Sequence, residues 1–310
     1  DADLEGGSNF TVYLDQRATW LTRRGLEWRN RASVGQFNAL ESELRQPIDL
    51  ARRWFFGPRL EFRQRERDYY VEEDAVATYR SRVSGLGLDV GRRLGNHAEA
   101  IVGLAVADVR DTQSRGLRTL PDYDSRTAAW RASLVFDRLD NLDFPQSGTL
   151  LEVNGRFVRR FAGGDDSYDR FAVRADQAFG RGPSSVLLSA RHYTAFGSDL
   201  PLSDAFAAGG FLNLSGYQRD EILASEMTVL RGVYRHRVAG GSSLLPGLYL
   251  GASVEGADVR ERLNGTSDFR ALGGSLFFSA ESVLGPFYLG LGYGEGGRMS
   301  IYLNVGRPPP

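Results

Sequence analysis

Along most of this chain, apolar and polar side chains alternate with a period of two. Trp54, Phe56, Leu60 and Phe62 are interleaved with Phe55, Gly57, Arg59, Glu61 and Arg63. Later, Phe171, Val173, Ala175 and Phe179 are interleaved with Arg170, Arg174 and Asp176. That period puts neighbouring side chains on opposite faces of a strand. A soluble sheet with one greasy face needs a second layer to cover it, yet no helical period lies between these segments to supply one. A closed membrane barrel removes the difficulty, because lipid covers the apolar face while the charged face lines a lumen.

The pattern predicts strands near Asp1–Glu5, Asn9–Leu21, Gly25–Gln36, Ala39–Pro47, Trp54–Arg65, Ala75–Leu94, His97–Arg110 and Thr127–Phe136. It predicts others near Gly148–Phe161, Ser167–Gly180, Ser184–Phe196, Ala224–Val238, Gly247–Arg260, Asp268–Ala280, Gly285–Gly294 and Met299–Gly306. The expected fold is all-β: a single transmembrane antiparallel β-barrel of about sixteen strands over residues 1–310, undivided by any linker. Short connections such as Leu94–His97 and Gly180–Pro183 suit the periplasmic side. Two long ones, Asp111–Arg126 and Gly197–Leu223, fall together on the other. Ala2 and Leu4 alternate with Asp1, Asp3 and Glu5 ahead of Gly6-Gly7-Ser8-Asn9, so the chain is expected to begin inside its first strand, as part of a longer protein. Trp20, Trp28, Trp54, Trp130, Tyr69, Tyr70, Tyr288 and Tyr293 cluster near strand ends, as an interfacial girdle would.

Composition narrows the class. Charged residues make up 25% of the chain, and no run of about 18 apolar residues occurs, which excludes a helical membrane protein. Glycine is abundant at 37 residues, in keeping with hairpins and bent strands. There is no cysteine, hence no disulfide framework. All 38 basic residues are arginine. A GC-rich genome would explain this, and so would a crowded lumen in which guanidinium groups pair with carboxylates and stay charged. Alternating Arg59, Glu61 and Arg63, and Glu27, Arg29 and Arg31, would form ion-pair ladders there. The net charge is −1 and the arginines are dispersed among acids, so nucleic acid is not an expected partner. The mixed-sign run Arg63-Gln64-Arg65-Glu66-Arg67-Asp68 is expected to be a solvated strand end and loop.

Two segments exceed what hairpins require. Phe136–Gly148 contains Asp137, Asp140, Asn141, Phe144, Pro145 and Gly148 at offsets that build consecutive side-chain-capped turns. Inside the second long loop, Phe211, Leu212, Leu214 and Tyr217 lie too close together for a solvated loop, with Gly216 between them and Arg219 near the tip. Folding into the lumen would shelter them. Glu255 shares its strand parity with Tyr249 and Ser253, a lumen-facing choice, and is expected to receive Arg219.

At these two segments the chain resembles the outer-membrane assembly factor and two-partner secretion superfamily, the bacterial surface antigen barrels. The superfamily's Asp-rich, Asn-x-x-Phe-Pro-x-x-Gly periplasmic turn matches Asp137, Asp140, Asn141, Phe144, Pro145 and Gly148. Its lumen-inserted Val/Ile-Arg-Gly-Phe/Tyr tip aligns with Leu214, Ser215, Gly216 and Tyr217, and its inner-wall acid with Glu255. The tip arginine is replaced by Ser215, and Pro308–Pro310 stands where such barrels usually end in an aromatic. The wording of the loop and of Ser300–Pro308 looks most like patatin-like type V (class d) autotransporters. That likeness implies an outer-membrane translocator with an N-terminal passenger in cis, a patatin-like phospholipase, upstream of this chain. Lipid and the barrel assembly machinery during biogenesis are the further expected partners, and the apolar outer wall would permit a homodimer within the bilayer. A passive porin, a barrel insertase or an exporter of a separate polypeptide are the alternatives.

No chemistry of this chain's own is expected. There is no Gly-x-Ser-x-Gly elbow and no Asp-Gly pair. His97, His192 and His236 have no metal-ligand partner at useful spacing, so no metal or other cofactor is predicted. His192 and Ser189 differ in parity and should face opposite sides of the wall. Glycines near the terminal strands (Gly285, Gly290, Gly292, Gly294, Gly296 and Gly297) are expected either to weaken the barrel junction or to provide curvature.

Overall fold

A computed structural model describes residues 11–35, 37–71, 73–116, 121–240, 246–265, 268–282 and 285–306. The strands are β1 (Thr11–Ala18), β2 (Glu27–Gly35), β3 (Phe37–Pro47), β4 (Trp54–Val71), β5 (Asp74–Leu94), β6 (Ala98–Gly116), β7 (Tyr123–Asp137) and β8 (Ser147–Arg159). They continue as β9 (Tyr168–Arg181), β10 (Ser184–Thr194), β11 (Phe206–Ala208), β12 (Ile222–Ala239), β13 (Leu248–Arg262), β14 (Phe269–Ala280), β15 (Phe287–Gly294) and β16 (Arg298–Val305). Each wall strand pairs antiparallel with its neighbours in chain order, except that β11 lies off the path and pairs only with β12. Barrel architecture and the strand total of 16 agree with expectation, although β11 belongs to the long loop. Asp1–Glu5 and Pro308–Pro310 lie outside the described residues. Among the described residues, the wall is an open path from β1 to β16.

The two faces separate as the alternation predicts. On β4, Trp54, Phe56, Leu60 and Phe62 are exposed, whereas Phe55 and Arg59 are buried. Exposed Leu86 and Leu88 on β5, Leu188 on β10, Val254 on β13, Leu276 on β14 and Leu303 on β16 extend the apolar band. So large an apolar surface is stable only in contact with lipid. Inside, Glu27 accepts from Arg17, Arg29 and Arg93 at 2.9–3.0 Å, and Glu61 pairs with Arg59 and, at 2.7 Å, with Arg63. Such pairing is tolerable on a wet wall, where desolvation costs less than in a dry core.

Three expectations are corrected. First, the loop expected over Asp111–Arg126 is largely strand, since β6 runs to Gly116 and β7 starts at Tyr123. Second, the mixed-sign run after Arg63 is not a loop but part of β4. There, Glu66 takes Arg80 at 2.6 Å and Asp68 takes Thr78 at 2.7 Å, while Arg63 and Arg65 turn inward to Glu61 and Asp220. Polar residues on both faces hid this ribbon, because alternation signals a strand only where one face is apolar. Third, Tyr69 and Tyr288 are buried, not in the girdle. Trp54 and Trp20 are outside, stacked with Arg92 and Arg52 at 5.1 and 3.7 Å.

Candidate functional site: a loop seated in the lumen

The connection from β10 to β12 enters the lumen and is fastened at both halves. Its first half carries Asp204, whose two carboxylate oxygens share Nη1 of Arg156 of β8 (3.0 and 2.8 Å) and whose Oδ2 also accepts the Tyr168 hydroxyl of β9 (2.6 Å). Arg170 donates to the Asp204 carbonyl at 3.0 Å, and Arg67 of β4 to that of Leu202 at 2.9 Å. The other arm of the Arg156 guanidinium donates to the Thr127 hydroxyl at 3.0 Å, so the cation holding Asp204 is itself fixed to β7.

The second half, Gly209–Tyr217, coils tightly against β12–β16. Leu212 and Leu214 have φ of 58° and 70°, a left-handed conformation that costs a β-carbon-bearing residue energy and persists only where surroundings over-determine it. Here they do. The Ser215 amide and hydroxyl donate to the two oxygens of Glu255 at 2.6 and 2.9 Å. The Ser253 hydroxyl donates to the same carboxylate at 2.6 Å. The Gly216 amide donates to the Tyr302 hydroxyl at 2.9 Å, and Arg231 donates to the Leu212 carbonyl at 2.6 Å. Leu214, Ser215 and Glu255 are buried, and Tyr217 is nearly so.

Glycines make the seat. Gly273 of β14 and Gly290, Gly292 and Gly294 of β15 leave a furrow on the inner wall. A β-carbon on Gly273 would lie 2.4 Å from the Ser215 carbonyl oxygen, and one on Gly292 2.9 Å from the Gly216 nitrogen. The furrow is reciprocal: Gly216 has φ of 97°, and a β-carbon there would lie 2.2 Å from the Gly294 nitrogen. The inward glycines of β15 therefore have a use that neither expectation named, namely close backbone approach by the loop. Gly285, Gly296 and Gly297 differ: each has positive φ and sits in a turn.

The structure brings Ser215, not Arg219, to Glu255. Arg219 lies one turn further on, with Asp220 and Arg65 as its charged neighbours, and Asp220 is paired with Arg65. The arginine nearest in register to Glu255 is Arg231, its direct partner across β12 and β13. In place of a charged loop tip meeting a wall acid, this chain presents two neutral donors to the acid and keeps the cation on the wall. Sequence reasoning missed Arg231, Tyr302 and Asp204. Inward parity opposite Glu255 was a usable signal for Arg231; for Asp204 there was none.

The Phe136–Gly148 turn meets the same assembly from the other end. Asp137 accepts the Leu139 amide, Asn141 those of Asp143 and Phe144, and Asp140 those of Gln146 and Ser147, all at 2.8–3.1 Å. Gly148 has φ of 105°, and a β-carbon there would collide with the Arg138 carbonyl at 1.9 Å. The turn so built swings Phe144, with Pro145 beside it, under the barrel. Phe144 stacks on Tyr249 at 4.7 Å and Tyr288 at 6.0 Å. Tyr288 in turn meets Phe211 of the loop at 5.4 Å, and Phe211 meets Tyr302 at 5.2 Å. A continuous aromatic path thus joins the turn to the loop tip.

His192 and Ser189 do face opposite sides: His192 Nδ1 pairs with the Thr228 hydroxyl at 2.9 Å on the outer face, whereas Ser189 accepts Arg231 inside. No group of three or more potential metal ligands occurs among the described residues.

Solved structures share this architecture. BamA from Haemophilus ducreyi lacking POTRA domains 1–3 superposes with a TM-score of 0.72 at 11% identity, covering 95% of this chain and 68% of that one. CdiB from Acinetobacter baumannii gives 0.57 at 13% identity (95% and 57%), and CdiB from Escherichia coli 0.61 at 11% (94% and 61%). The chain thus spans between about half and two thirds of these neighbours' lengths. A comparison with curated protein sequences finds no match. The Omp85 superfamily domain matches residues 23–306, nearly the entire chain, and this barrel of the Gram-negative outer membrane accordingly belongs to the Omp85 superfamily.

Proposed function

We propose that the barrel is the translocator for a passenger joined to its N-terminus, with a patatin-like phospholipase as the passenger suggested by the loop and C-terminal wording. The observation that supports the polypeptide-handling reading is the seated loop: a segment packed by backbone contact into a glycine furrow and held by Glu255 occupies the lumen, and on this reading it is displaced during transport. A passive porin would be served by a hydrophilic constriction. This loop instead buries Phe211, Leu212 and Leu214. The chain's own role is transport without chemistry: its wall supplies a lipid-facing exterior, and its loop an adjustable interior. Lipid, the assembly machinery and the passenger in cis are the partners this reading requires; a homodimer through the apolar exterior is compatible with it.

The test is to express the natural full-length gene in a Gram-negative host and follow an epitope placed upstream of Asp1. Surface exposure that depends on this barrel, and that falls when Glu255 is replaced by alanine while barrel levels hold, is the expected result. An epitope confined to the periplasm, with a separate polypeptide exported or other barrels failing to insert when this gene is removed, would assign the exporter or insertase reading instead.

A further inference from the structure

The seated loop leaves part of the lumen open. Beside it, against the inner faces of β2–β9, lies a chamber of about 460 Å³ lined by Arg31, Arg59, Arg63, Arg131, Arg156 and Arg170 among small residues such as Gly85 and Ala107. That volume falls within the ordinary range of ligand sites. Glu41 and Glu61 also line it.

The charges do not balance. Arg31 can be set aside with its own acids, Asp15 at 2.9 Å and Glu41 at 4.0 Å. The other five arginines then share Glu61, Asp89 and Asp204. Glu61 serves both Arg59 and Arg63. Asp89 bonds Arg59 at 3.2 Å and lies 3.9 Å from Arg131. Asp204 bonds Arg156, whereas Arg170 reaches only its backbone carbonyl. With Arg31 and its two acids counted back in, six arginines face five carboxylates, which leaves one positive charge uncompensated. The Nε atoms of Arg63 and Arg131 make no hydrogen bond to protein, so each guanidinium has a donor to spare for an oxygen acceptor.

We propose that this chamber is an oxyanion site, shaped for carboxylate or phosphate oxygens bridging Arg131, Arg63 and Arg170. Planar guanidinium forks match such oxygens in geometry as well as in sign. The site stands on the lumen geometry alone and holds whether or not a passenger is attached. An acidic stretch of extended polypeptide in the bore and a free anion carry the same chemistry.

Isothermal titration of the detergent-solubilised protein with tetraglutamate and with inorganic phosphate tests the site. Saturable binding is expected, weakening steeply with salt, at least tenfold weaker in Arg131→Gln, and unaltered in Arg82→Gln on the outer face. Arg131→Gln is chosen because its nearest carboxylate oxygen stands 3.9 Å off, so its removal strands no tightly paired acid; Arg170→Gln is the second variant should the first not fold. Tetraglutamate binding well ahead of phosphate identifies acidic polypeptide as the ligand, and equal binding identifies a free oxyanion. Absence of binding to both, or affinity indifferent to Arg131 and Arg170, overturns the proposal.

Discussion

Removing the Glu255 carboxylate should unseat the loop tip by a calculable amount. The carboxylate accepts two hydrogen bonds from the loop, the amide and hydroxyl of Ser215. Hydrogen bonds to a charged partner contribute about 1.5–3 kcal/mol each, so Glu255→Ala should cost the seated state about 3–6 kcal/mol. The Ser253 and Ser275 hydroxyls left behind already face each other at 2.7 Å and can satisfy one another. Tenfold per 1.4 kcal/mol converts this to an increase of about 10²–10⁴ in the population with the tip displaced. Because the chain contains no cysteine, Leu214→Cys introduces a single thiol at a position with 0% exposure. Its rate of labelling by a membrane-impermeant maleimide reports opening. Adding Glu255→Ala should accelerate labelling by at least about 100-fold, with the barrel's heat-modifiable mobility unaltered; Glu255→Gln, which keeps one acceptor oxygen, should give a smaller acceleration. A rate within threefold of the parent in the alanine variant would show that Ser215–Glu255 does not hold the tip, and the seating argument would fail.

Gly216→Ala should mimic Glu255→Ala in the same assay, since its β-carbon would lie 2.2 Å from the Gly294 nitrogen at a φ of 97°; unaltered labelling would refute the furrow. Phe144→Ala deletes the stack on Tyr249 and Tyr288, a truncation that typically costs about 3–5 kcal/mol in a packed site. It should lower the unfolding midpoint and also speed Leu214→Cys labelling through the Tyr288–Phe211 contact; a stability loss with no change at the tip would break the aromatic link. Asp140 is partly desolvated, which raises its carboxyl pKa, but the Ser147 and Gln146 amides outweigh this and hold it below the usual aspartate range. Its contribution is therefore complete above the unfolded value near 4 and disappears as pH falls through the lower folded value. Amide protection at Gln146 and Ser147 should follow that course, and Asp140→Ala should remove the dependence.

What was legible in the sequence was whatever one-sided burial writes into it. Outward apolar residues such as Leu60 and Phe179 and inward arginines such as Arg59 and Arg174 set parity on β4 and β9, and the same parity argument placed Glu255 on the inner wall. Turn chemistry was equally readable, because Asp140 and Asn141 act on amides a few residues away. Two kinds of feature escaped. Strand extensions with polar residues on both faces carry no alternation, so β6 was expected to end at Arg110. Contacts between segments distant in sequence, such as Asp204 with Arg156, depend on where a loop lands, and no local pattern encodes that. The Glu255 partner was misjudged for a related reason: the missing charge at Ser215 suggested a substitute nearby in the loop, whereas the wall already carried Arg231 opposite the acid.

The long polar hairpins bear on how the molecule looks from outside the cell. β5 has 21 residues, about 70 Å at 3.3 Å per residue, whereas a strand tilted near 40° crosses a 25 Å apolar band in about 33 Å. Roughly half of it must therefore rise clear of the bilayer on the side of the loop entrance, braced by the Glu66–Arg80 and Asp108–Arg126 pairs. The flank of the mouth built from β4, β5 and β6 thus carries a stiff parapet. Antibodies or phage tail fibres arriving from the medium would meet that crest, and an atomic-force image of the reconstituted barrel should show it standing above the bilayer.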